Sequence, residues 1–116
     1  MNALSPGAET AAGTPVHTTA DGFLLDARDW NEAVAQLLAA AVAIQLTEAH
    51  WEIIGFIREY YARFQHLPNN RLFVKAVAQS LGPEKGNSRY LNALFAGSPV
   101  RHACLLAGLP KPPGCL

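Results

Sequence analysis

The stretch from Glu48 to Phe64 constrains the fold most. Trp51, Ile54, Ile57/Arg58 and Tyr61 recur at helical spacing, and Ile53, Phe56 and Tyr60 widen the stripe. A helix with so broad an apolar face must pack on more than one side, so the spacing predicts a central helix with others around it. Thr47 is its predicted N-cap and Pro68 its stop.

Start and stop signals divide the rest into short helices. One is predicted over Trp30–Ala41 with Asp29 as N-cap, and one over Arg71–Leu81 behind Asn70, closed by Gly82. A fourth covers Ser88–Phe95 after the polar turn GPEKGN. Ser98-Pro99 opens a fifth, Pro99–Ala107, which Gly108 ends. Residues 16–26 read as a short hairpin turning at Asp21-Gly22. The expected class is therefore α+β, mainly helical: a short N-terminal hairpin or meander packed on about five helices.

Both ends of the chain differ from this middle. Residues 1–20 are rich in Ala, Thr, Gly and Pro without periodicity and read as a disordered tail. The body then spans residues 21–108. The last eight residues, LPKPPGCL, hold three prolines and a glycine, and should form an extended, mobile arm over residues 109–116. Gly108 and Gly114 are its expected flexible joints.

At 116 residues and 50% hydrophobic, the chain has material for one modest core. Formal net charge is zero, against binding of nucleic acid by bulk charge alone. The charge is uneven, however. Residues 1–47 carry one basic residue against five acidic ones, and residues 48–116 carry eight against four. Arg71, Lys75, Lys85, Arg89, Arg101 and Lys111 are candidates for docking an anionic partner surface. No secretory leader is visible, and the longest apolar run, Leu37–Ile44, is too short to span a bilayer. The expected location is the cytoplasm, where thiols stay reduced.

Cysteine chemistry follows from position. Cys115 is penultimate on the proline-rich arm, where a thiol is reachable and nearby cations such as Lys111 favour its nucleophilic thiolate. Cys104 lies mid-helix and alone reads as a small core residue. Ten residues separate the two, a loop short enough to close cheaply, so they also read as a redox-competent pair. His17, His50, His66 and His102 show no metal-ligand spacing, and no phosphate-binding glycine motif is present. No cofactor is expected.

The run LGPEKGNSRYLNALF followed by ACLLAGLPKPPGCL resembles the DsrC/TusE family of sulfur-transfer proteins. DGFLLDARDW, LTEAHWEIIGFIREYY and PNNRLFVKA fit the same pattern in the same order, so the resemblance covers about residues 21–116. It implies a small α+β fold and sulfur carried as a persulfide on Cys115, with Cys104 matching the second cysteine of the DsrC branch. Implied partners are a donor sulfurtransferase of the TusBCD or DsrEFH kind and an acceptor. The acceptor is dissimilatory sulfite reductase, whose sirohaem the DsrC arm approaches, or a heterodisulfide-reductase-like complex. TusE-type members instead relay sulfur toward 2-thiolation of the tRNA wobble uridine and usually lack the second cysteine. The resemblance implies a carrier, monomeric by expectation, more than a turnover enzyme. Asn69-Asn70, and AGSPVRHA with Arg101 in place of a lysine, depart from the family pattern. A reading of another class is a helical DNA-binding regulator using Arg71, Lys75, Lys85, Arg89 and Arg101, but it leaves the tail cysteine unexplained.

Overall fold

The computed structural model describes residues 16–113 and the backbone of Asn2–Ala3. It is mainly helical, as the start and stop signals predict. Strand β1 (Asn2–Ala3) pairs antiparallel with β2 (His17–Thr18). The chain then turns back through the hairpin expected over residues 16–26. Thr18 bridges Leu24, Leu25 N–H donates to the His17 carbonyl, and Gly22 takes the turn at φ +93°. Val16 and Thr18 are buried, so residues ahead of position 21 also pack into the body. Residues 4–15 lie outside the described set.

Five α-helices follow: α1 (Glu32–Ala41), α2 (Glu48–Phe64), α3 (Asn70–Leu81), α4 (Ser88–Leu94) and α5 (Pro99–Leu106). α5 touches each of the other four. Six of its eight residues are buried, and its two polar ones, Arg101 and His102, are half-buried. The central place expected of Glu48–Phe64 therefore belongs to α5. α2 buries His50, Ile53, Ile54 and Ile57 against it, leaving Phe56 and Tyr60 half-buried and Phe64 exposed.

Two predicted caps act elsewhere. Asp26, not Asp29, opens a 3-10 turn over Ala27–Asp29, and α1 starts behind Asn31, whose Oδ1 accepts from Val34 N–H. α3 is capped by Asn69 through Leu72 N–H. Asn70 Oδ1 instead accepts from Val100 N–H at 3.1 Å, so α5 is capped by a residue of α3 and not by the Ser98 side chain. The far end of α4 is treated alike. His50 Nε2 and His102 Nδ1 each reach a terminal carbonyl, of Leu94 and Phe95 respectively, at 2.6 Å. The Nδ1 of His50 lies 3.1 Å from the Thr47 N–H, so it accepts there and the proton sits on Nε2.

The GPEKGN turn is architectural. A Cβ on Gly86 would meet the α3 backbone at Ala78, 2.1 Å from its nitrogen. Asn87 caps α4 through Tyr90 N–H and donates back to the carbonyls of Pro83 and Glu84. Lys85 ties the turn to Glu52 of α2 at 2.8 Å.

Losing the inter-helix cap should cost what an ordinary N-cap costs. Asn70→Ala is expected to destabilise the fold by about 1 kcal/mol, read as a melting-point drop of roughly 4–8 °C. An unchanged melting point would show that Asn70 does not hold α5.

Candidate functional site

The site is built where the chain leaves α5. Cys104, Leu105 and Leu106 form its last turn, Ala107 is the C-cap, and Gly108 follows at φ +70°. Leu109 N–H donates to the Cys104 carbonyl at 3.0 Å and Gly108 N–H to that of Leu105 at 3.3 Å, the paired bonds of a Schellman ending. Leu109 is buried, as the apolar residue of such an ending usually is.

Two side chains seal the remaining carbonyls. Trp30 Nε1–H donates to the Leu106 carbonyl at 2.9 Å, and Arg58 Nη1 donates to that of Ala107 at 2.7 Å. The Arg58 guanidinium lies 3.8 Å above the Trp30 ring, so the two hold each other. Burial lowers the Arg58 pKa from its ordinary value, but a guanidinium stays charged at neutral pH. A Cβ at position 108 would come within 2.4 Å of Trp30 Cδ1. Gly108 is thus a corner that only a residue without a Cβ can fill.

Beyond the corner the chain stays on the body. Pro112 is buried and Lys111 Nζ meets Asp21 Oδ2 at 2.7 Å across the hairpin turn. The arm expected from Leu109 is therefore seated through Pro113, held by an apolar anchor and an ion pair. Lys111 holds the Asp21 carboxyl below its ordinary pKa, first by the hydrogen bond and then by its charge, with Arg101 adding to the effect. Arg101 also stands 5.4 Å over the Phe23 ring.

The two cysteines fall on either side of this corner. Cys104 is fully buried within the core. Cys115 lies outside the described residues, two positions after Pro113. Reaction at the Cys104 sulfur therefore needs the packing around it to open first.

The six candidate cations have different surroundings. Arg71, Lys75 and Arg89 are exposed on α3 and α4. Lys85 is committed to Glu52, while Lys111 and Arg101 sit at the arm root. Trp30, Arg58 and Asp21 were not candidates on sequence grounds. The one available signal was an arginine in the middle of the apolar stripe of α2. Among the described residues no cluster of three His, Cys, Asp or Glu is placed to hold a metal ion, and no helix is long and apolar enough to cross a membrane.

The sequence and the fold both resemble those of known proteins. The family described as DsrC like protein matches residues 10–116. The sulfurtransferase TusE of Photorhabdus laumondii is 52% identical over 104 residues, covering 90% of this chain and 94% of that protein. The TusE homolog of Haemophilus influenzae is 49% identical over 104 residues, with 90% and 95% covered. The NMR structure of Allochromatium vinosum DsrC superposes with a TM-score of 0.82 at 44% identity, covering 93% of this chain and 98% of that one. The oxidized gamma-subunit of dissimilatory sulfite reductase (DsrC) from Archaeoglobus fulgidus gives 0.77 at 37% identity, with 93% and 97% covered.

The arm root should respond to acid. Because the folded Asp21 pKa is depressed, the Lys111 contact is complete above the ordinary carboxylate pKa of about 3.9 and fades as pH falls through the lower folded value. An exposed pair contributes little globally, so the effect is local. The Lys111 amide order parameter should fall in strong acid while that of buried Leu106 stays near ~0.85. A Lys111 value independent of pH, and unchanged in Asp21→Asn, would show that the pair does not seat the arm. Separately, Arg58→Met removes a charged donor from a buried carbonyl and should cost about 2 kcal/mol in chemical denaturation. A loss near zero would leave Trp30 alone as the clamp.

Proposed function

This chain belongs to the DsrC-like family of sulfur carriers, and from that premise we propose that it takes up sulfur as a persulfide on Cys115 and delivers it to a sulfur-metabolising enzyme. The observation that carries the reading is the corner at Ala107–Gly108. The thiol-bearing end departs from a point fixed by Trp30, Arg58 and the Schellman bonds, so the body presents Cys115 from a defined origin.

The chemistry needs no cofactor of the carrier's own. The Cys115 thiolate attacks the outer sulfur of a donor persulfide. The donor's S–S bond breaks, its cysteine leaves as thiolate, and Cys115 holds the terminal S–SH. The donor on this reading is a sulfurtransferase of the TusBCD or DsrEFH kind. Delivery to an acceptor of the dissimilatory sulfite reductase or heterodisulfide-reductase-like kind uses Cys104. Its thiolate attacks the Cys115 sulfur, hydrosulfide leaves, and a Cys104–Cys115 disulfide remains for a two-electron reductant to reopen. The presence of Cys104 supports this route. Its complete burial and the TusE relatives support a second: a one-thiol relay toward tRNA wobble-uridine thiolation, with Cys104 as packing. Family membership leaves the DNA-binding reading without support.

Intact mass after incubation with a persulfidated sulfurtransferase tests the proposal. Wild type and Cys104→Ser should each gain one sulfur atom's mass, and Cys115→Ala none. Loading of Cys115→Ala would overturn it. Hydrosulfide release from loaded wild type that Cys104→Ser loses selects the two-cysteine route, and equal transfer by both selects the relay.

A further inference from the structure

The apolar stripe of α2 is wider than the core uses. Its inner edge packs on α5, while Phe56, Tyr60 and Phe64 line an open groove of about 900 Å³ toward α3. Leu72 and Leu81 line the other wall. Phe64 is 47% and Leu72 50% exposed, two of the three large hydrophobic residues so exposed among those described. The rings of Phe56, Tyr60 and Phe64 run in contact along the wall, with centroids 6.3 Å and then 4.8 Å apart. This is the anchor chemistry of a protein interface, left uncovered.

The rim gives the sign of the occupant. Glu52 is spent on Lys85, leaving Glu59, Arg63 and Lys75. Among the described residues no carboxylate lies within ion-pairing distance of Arg63 or Lys75. Arg63 stands 5.3 Å over the Phe64 ring, and Lys75 is one helical turn from Leu72 on α3. The groove rim is therefore net positive, with two unpaired cations, Arg63 and Lys75, against the one carboxylate of Glu59.

We propose that this groove docks an amphipathic helix of a partner protein, its apolar side chains on Phe64 and Leu72 and its carboxylates toward Arg63 and Lys75. This deepens the carrier reading and rests on it for its purpose. Phe56 and Tyr60 lie two positions to either side of Arg58, so on a helix they point away from it and from the arm root. A partner seated in the groove leaves the arm root at Ala107–Gly108 unobstructed. Docking on the body then makes the thiol's approach intramolecular and raises its effective concentration.

The test uses the full 15N-labelled chain and two helical peptides with one leucine face, the polar face Glu in one and Lys in the other. The Glu peptide should bind roughly tenfold tighter, with salt-sensitive affinity and shifts centred on Phe64, Leu72 and Lys75. Leu72→Asp and Lys75→Glu should each weaken it severalfold. Equal binding of the two peptides, or shifts centred elsewhere, would overturn the proposal. So would concentration-dependent dimerisation abolished by Leu72→Asp, which assigns the groove to a second copy. Sulfur loading of Cys115 from inorganic polysulfide should be the same in Leu72→Asp and wild type. Failure of wild type to load sinks the carrier reading and leaves the docking result standing.

Discussion

Short helices packed on a core cannot leave their inner ends bare, and this fold is organised by how those ends are met. An α-helix leaves four N–H groups and four carbonyls without intrahelical partners. α4 and α5 are seven and eight residues long, so the orphaned groups are a large share of their backbone. Side chains from other elements supply the partners: Asn70 for the start of α5, Trp30 and Arg58 for its end, His50 and His102 for the end of α4. Each bond also fixes one segment of the chain against another. The same groups that satisfy the backbone thereby set the geometry of the bundle.

Local signals were legible and long-range ones were not. Thr47 opening α2, Gly82 closing α3 and Pro99 opening α5 are contained within a few residues, and the structure has them as the sequence indicates. Asn69 and Asn70 are equally good caps in isolation. Which one serves α3 depends on where Val100 lies, thirty positions away. Trp30 was read as helix because nothing nearby shows that its indole is needed at Leu106. The stripe of α2 misled for a related reason. Its breadth is real, but part of it lines a groove, while α5 hides its centrality behind the adjacent polar pair Arg101-His102. Gly108 looked like a hinge because glycine permits one; the structure uses it as a left-handed corner with the Trp30 ring where a Cβ would stand.

These features divide the molecule into a rigid presenter and a reactive end. The clamp at Ala107 fixes where residues 108–113 start, the Lys111–Asp21 pair seats them lightly on the surface, and the exposed groove lies on the opposite face of α2. The motif block KGNSRYL belongs wholly to the presenter: it builds the α3–α4 turn and caps α4. On the proposed carrier reading the reactive chemistry belongs to Cys115, outside the described residues. A carrier of this kind needs its thiol to meet a donor and an acceptor, whereas the buried Cys104 meets only what the fold allows.

The most direct test of this division is to locate the sulfur itself. Wild-type chain loaded by a persulfide donor, alkylated under native conditions and digested, should carry the extra sulfur atom on the peptide containing Cys115, with Cys104 alkylated only after unfolding. Sulfur found on the Cys104 peptide, or Cys104 alkylated as fast as Cys115 in the native protein, would contradict the account.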